Sequence, residues 1–165
     1  MTHPSPFPPS CITGSESVEP ADSSLAALVH FYRAFNQRDL VAMERAWLPN
    51  DEPSMDNPIG GIRRGWPDIR GGYEKLFGGR ARVYVEFHDY TLQGDAHYAL
   101  AVGRERGWFE QDGTRIDLAI RTSRLFVKRD GTWQQLHHHG SIEDGQLLAE
   151  YQRAVLGAPV RVGKP

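Results

Sequence analysis

The stretch RIDLAIRTSRLFVKRDGTWQQLHHHGSI, residues 115–142, decides the fold. Ile116, Leu118 and Ile120 alternate with polar or small residues, which is the period of a strand with one buried face. Asp130-Gly131 then interrupts the pattern with a dipeptide suited to a two-residue hairpin turn, and a further strand-like run continues to Ile142. Working backwards, ARVYVEFHDYTL (81–92) and HYALAVGRERGWFE (97–110) also read as strands. Gly94-Asp95 and Asp112-Gly113 mark the other turns. Consecutive hairpin-linked strands predict an antiparallel meander.

Upstream the period becomes helical. DSSLAALVHFYRAFNQRD places Leu25, Leu28, Val29, Tyr32 and Phe35 on one stripe, with Asp22 or Ser23 as the cap. Asp39 can cap a shorter helix through LVAMERAWL, which ends before Pro49. PSMDNPIGG reads as a short extended piece, and WPDIRGGYEKLFGG as a third helix with Ile69, Tyr73, Leu76 and Phe77 on its stripe. GQLLAEYQRAVLG predicts a last helix ending near Gly157. Residues 1–21 are rich in Pro and Ser and are expected to be a flexible arm, 22–157 a single domain, and 158–165 a tail. The expected class is α+β: a cone-shaped, curved antiparallel sheet with three N-terminal helices packed in its concave face and a C-terminal helix. A sheet curled around helices encloses a pocket, which is the default binding site.

Composition narrows the function. At 165 residues, with 39% hydrophobic and 24% charged, the chain suits one globular domain. Lys+Arg 19 against Asp+Glu 21 leaves no basic surplus for nucleic acid. No apolar run is long enough for a membrane span. The N-terminus lacks the pattern of a secretory signal, and the lone Cys11 cannot form an intramolecular disulfide, so a cytoplasmic location is expected.

The element order, together with PIGGIRRGWPDIR, AVGRERG, AIRTSRLF and DGTWQQLHHHGS, resembles the nuclear transport factor 2-like superfamily. Within it the chain is similar to the SnoaL-like and ketosteroid-isomerase-like group, over roughly residues 22–156. The resemblance implies a cone fold with polar residues at the blind end of its cavity, a homodimer built through the outer sheet face, and no metal or other cofactor. It does not choose among isomerases, cyclases, hydrolases, dehydratases and non-catalytic association domains.

Residues two apart on a strand share a face, so His137, His139 and Ser141 are expected to point one way with Trp133 and Gln135, and His138 the other. Arg121 and Ser123 share a face on the preceding strand. We expect Arg121, His137 and His139 to converge at the pocket with Glu105 nearby, although the apolar set around Arg121 turns it outward unless a bulge shifts the register. His137 or His139 is the candidate proton carrier, with Asp56 an alternative base and Tyr32 a hydroxyl donor placed as in the isomerases. Arg121, Glu105 and Ser123 would bind substrate, and Trp47 and Tyr73 would wall the pocket. Each has a plainer reading: Tyr32 as core, Asp56 as a turn former, the histidines at a dimer interface. Two histidines at i and i+2 could also share a cation with Asp56, His88 or Glu105, but no recognised ligand spacing supports a metal, and none is expected. No Ser-His-Asp or Cys-His nucleophile arrangement is expected, since Cys11 lies in the arm. The functional expectation is binding of a small apolar molecule with a carbonyl or carboxylate, with proton-transfer chemistry open and a non-catalytic binding or association domain as the alternative.

Overall fold

Two Asp-Gly dipeptides set the sheet. In the computed structural model, which describes residues 8–160, Asp112 and Asp130 have φ of 52° and 50°, and Gly113 and Gly131 both 79°. These are left-handed conformations at both central positions, as a tight hairpin turn matching the twist of its strands requires.

In chain order the elements are β1 (Cys11–Ile12), α1 (Ser24–Asn36), α2 (Leu40–Ala46), β2 (Ser54–Asp56), β3 (Ile62–Arg64), α3 (Trp66–Gly78), β4 (Arg82–Gly94), β5 (Tyr98–Gln111), β6 (Thr114–Arg129), β7 (Thr132–Ile142) and α4 (Gly145–Leu156). The meander β4-β5-β6-β7 forms as expected, inside one curved sheet of order β1-β4-β5-β6-β7-β2-β3. The sheet is mixed rather than purely antiparallel, because β2 runs parallel to β7. The piece around Ile62 pairs with β2 as β3.

Helices α1, α2 and α4 begin where short polar side chains replace missing backbone partners. Ser23 accepts from the Ala26 amide, Asp39 from Ala42 and Asp144 from Leu147. α1 lays Leu28, Val29, Phe31 and Tyr32 against the concave face, and α2 and α3 add Met43, Ile69 and Tyr73. Val85, Phe87, Phe109, Leu118, Ile120 and Phe126 meet them from the sheet.

The expected arm, 1–21, is corrected over part of its length. Residues 1–7 lie outside the described residues, but Cys11–Ile12 pairs with β4 and Ile12 is buried in the core. Arg33 holds the segment by donating to Gly14 O (2.7 Å) and Glu16 O (2.8 Å). A strand of two residues in Pro- and Ser-rich sequence has no period to read.

Candidate functional site

The concave face of the sheet carries one buried polar cluster. On β6 the even positions Leu118, Ile120, Thr122, Arg124 and Phe126 are all buried, so alternation puts Arg124 inside the cone and Arg121 on the exposed outer face. Glu105 follows the same logic on β5, opposite Ile120. Arg124 donates to Glu105 Oε1 at 2.7 Å and to Gln135 Oε1 at 3.0 Å, and its Nε donates to the Tyr32 hydroxyl at 3.2 Å. Tyr32 in turn donates to Glu105 Oε1 at 2.8 Å. The guanidinium lies 3.6 Å from the centre of the Phe31 ring. Burial alone lowers the Arg124 pKa, but Tyr32 and Glu105 beside it reverse the direction, so it stays charged. Burial pushes the Tyr32 hydroxyl well above its ordinary range and Tyr73 up to about 12.

A bulge in β7 decides where the histidines point. Phe126 pairs with Gln135, yet Leu125 pairs with His137, so Leu136 is an extra residue and the faces exchange there. Gln135 lies inside, and so does His138, opposite Arg124 on β6 and Met55 on β2. His137 and His139 lie outside, in register with Leu125 and Ser123. Strict alternation had joined them to Gln135 on one face. The bulge separates them, and the expected convergence of Arg121, His137 and His139 with Glu105 does not occur.

On the outer side Ser54 Oγ stands 2.7 Å from His137 Nδ1, and Asp56 Oδ2 stands 2.9 Å from His139 Nδ1. Asp56 therefore partners a surface histidine rather than sitting in an apolar cavity. The three potential ligand atoms of Asp56, His137 and His139 lie within 4.8 Å of one another. Trp47 and Tyr73 do line the inside, their rings 6.4 Å apart, with the Tyr73 hydroxyl donating to Met55 Sδ at 3.7 Å. Tyr90 is brought over the Phe87 ring by an irregularity between His88 and Thr91, the ring centres 5.4 Å apart.

Several polar atoms of the cluster are left over. Trp47 Nε1, Thr122 Oγ1, Gln135 Nε2 and His138 Nδ1 are buried with no hydrogen-bond partner. They are neighbours by register: Gln135 bridges Trp47, His138 faces Arg124, and Thr122 precedes Arg124 by two on the same face. Burial, then the nearby Arg124, His137 and His139, hold the His138 pKa well below 6.5, so the ring is neutral. Arg124, Gln135 and His138 were missed from the sequence. The alternation through Phe126 was a sufficient signal for Arg124, whereas nothing local announced the bulge that turns His138 inward. Two grooves among the described residues, about 590 and 480 Å³, lie elsewhere, one between α1 and the β6–β7 turn and one beside Tyr90.

Residues 25–144 match the family described as SnoaL-like domain. The chain belongs to the SnoaL-like domain family. This SnoaL-like domain is also similar in fold to several solved structures. One, provisionally named a calcium/calmodulin-dependent protein kinase type II association domain from Thiobacillus denitrificans, is 23% identical, with 78% of this chain and 100% of that chain covered and a TM-score of 0.64. A provisionally named dehydratase of the nuclear transport factor 2-like family from Streptomyces avermitilis is 17% identical, covering 71% and 91%, with a TM-score of 0.63. A ketosteroid isomerase-like protein from Erwinia carotovora atroseptica is 20% identical, covering 72% and 92%, with a TM-score of 0.61. No curated protein matches the sequence. No helix among the described residues is long and apolar enough to cross a membrane.

Proposed function

We propose that this SnoaL-like domain binds a small molecule through a carbonyl or carboxylate oxygen at the polar floor of the cone. The observation that carries the reading is the set of buried, unpartnered groups around Arg124: Trp47 Nε1, Gln135 Nε2, His138 Nδ1 and Thr122 Oγ1. Buried donors left without acceptors cost about 1–3 kcal/mol each, and an acceptor-bearing ligand or water restores that energy. Arg124 is already balanced by Glu105, so the floor offers neutral donors beside a charge pair rather than a bare cation. The walls are aromatic, from Phe31, Tyr32, Trp47 and Phe87, which favours an otherwise apolar ligand.

Binding is favoured over proton transfer. With His137 and His139 outside and Asp56 paired to His139, proton transfer would fall to the buried His138, Tyr32 and Glu105, of which Tyr32 and Glu105 are already engaged with Arg124. The test is a panel of small carboxylic acids and ketones followed by nitrogen-15 spectra of the indole N–H groups. A binder is expected to move the Trp47 indole resonance and to raise unfolding stability by about 2.7 kcal/mol at a hundredfold excess over Kd. A panel that moves neither signal sinks the reading, as does an equal response from the H138F/Q135L variant.

A second reading rests on a different observation. Tyr98, Leu100 and Val102 occupy alternate positions of β5, point away from the cone, and are 47%, 37% and 45% exposed. An exposed apolar row of this kind suits self-association, the role that the name of the Thiobacillus structure suggests.

A further inference from the structure

Three side chains that the cone does not use meet at the β1–β4 edge of the sheet. Cys11 stands opposite His88 in the strand register, and Glu86 precedes His88 by two on the same face. Cys11 Sγ is 3.3 Å from His88 Nε2 and 3.7 Å from Glu86 Oε2, and His88 Nε2 is 3.0 Å from that same oxygen. We infer that Cys11, Glu86 and His88 form a three-ligand site for a zinc-class divalent cation.

The separations fit a single ion. Zinc bonds of about 2.3 Å to sulfur and about 2.0–2.2 Å to nitrogen and oxygen put tetrahedral neighbours about 3.4 Å apart for N and O, and about 3.6 Å where sulfur is one of them. The three observed distances each fall within about 0.4 Å of those edges. Small side-chain adjustments therefore suffice to close the site.

The surroundings favour a cation as well. Tyr84 donates to Glu86 Oε1 at 2.8 Å, which leaves Oε2 turned toward Cys11 and His88. An outer hydrogen bond of this kind orients metal ligands. The nearest cations in register are occupied elsewhere: Arg106, opposite Glu86, donates to Glu143 at 2.9 Å, and Arg104, opposite His88, donates to Asp89 at 3.1 Å and also to Glu143. Among the described residues no arginine pairs with Glu86, and Glu16 adds further negative charge near the thiol. A thiol, an imidazole and a carboxylate together suit zinc or cobalt and not magnesium or calcium, whose ligands are oxygens. Three protein ligands leave a fourth position for water or a donor atom of another molecule. Because Cys11 sits on a two-residue strand, the ion would also pin the N-terminal segment to the sheet.

The experiment is a cobalt(II) titration of the metal-free full chain under reducing conditions. The expected result is one ion per chain, with a thiolate-to-cobalt charge-transfer band and the intense visible bands of four-coordination. Cys11→Ser should abolish the charge-transfer band, and His88→Gln and Glu86→Gln should each weaken binding at least about tenfold. The H137N/H139N variant should bind as the natural chain does. All three ligands are partly exposed, so these variants are expected to fold, which circular dichroism checks. Zinc should raise the unfolding midpoint of the natural chain more than that of His88→Gln at the same concentration. The inference is overturned by the absence of a charge-transfer band, by an unaltered band in His88→Gln and Glu86→Gln, or by binding that follows His137 and His139.

Discussion

His138 is buried and neutral one residue away from two histidines that reach the surface. Its pKa lies below 6.5 in the folded chain and near 6.5 in the unfolded one. As pH falls through that value, the unfolded chain takes up a proton that the folded chain refuses, so stability drops toward acid. The loss is expected to approach about 1.4 kcal/mol per pH unit below 6.5, and His138→Gln should remove that part of the slope. Urea midpoints at pH 7.5, 6.5 and 5.5 for both chains check it; parallel slopes would show that His138 titrates normally. The neighbouring pair gives a second prediction. Glu105→Gln strands the Arg124 guanidinium and should cost about 3–5 kcal/mol, whereas E105Q/R124M should cost far less than the sum of the single changes. Additive losses in that cycle would mean that the pair is not coupled. The inward position of Tyr32, Glu105 and Tyr73 follows from regular helical or strand period, whereas Trp47 lies just past α2 in extended backbone and is placed by its bridge to Gln135. The outward turn of Arg121 was readable as well, since Ile116, Leu118 and Ile120 fix the parity of β6 and the same parity points Arg124 inward. The histidines were not, because one extra residue, Leu136, reverses the parity after Gln135.

Among the elements, long periodic segments were readable and short ones were not. The helices and the meander carry their own period, caps and turns. β1 and β3 have two and three residues, too few to show alternation, and exist because a sheet edge is available to pair with them. Gly14 tests how far the N-terminal segment belongs to the fold. Its φ is +94°, and a Cβ there would lie 2.3 Å from the Arg33 backbone nitrogen. Gly14→Ala is therefore expected to cost about 1–3 kcal/mol and to expose the segment before α1 to protease. Gly71 is the contrasting position, inside α3 with open space where its Cβ would stand. Gly71→Ala should stabilise by up to about 1 kcal/mol. Urea unfolding of the two variants reads both signs. A neutral Gly14→Ala would mean that the segment is only loosely attached.

For the molecule as a whole, the sheet has a covered side and an uncovered one. The concave side is closed by α1, α2 and α3, whereas the outer side presents Tyr98, Leu100 and Val102 beside the partly buried Leu125. In register, Leu100 stands opposite Leu125 and Val102 opposite Ser123, so the apolar row continues from β5 into β6. A stable homodimer of standard size buries roughly 800 Å² per partner, more than these side chains alone supply. The mixed aromatic and charged rows around Tyr84, Trp108 and Arg121 would have to join the contact, with polar groups at its rim. Charge placed at the apolar centre should then act more strongly than charge at the rim. The L100E/V102E variant brings like charges together in a symmetric contact and is expected to shift the protein from dimer to monomer. Arg121→Glu, at an exposed position, should change association less than tenfold. Both substitutions sit on the side of the sheet away from the core, so the unfolding curve of the monomer should hardly change. Sedimentation at several concentrations separates the outcomes. If the natural chain sediments as a monomer at every concentration, or if L100E/V102E remains as dimeric as its parent, the outer face is not the interface, and the apolar row awaits a different partner.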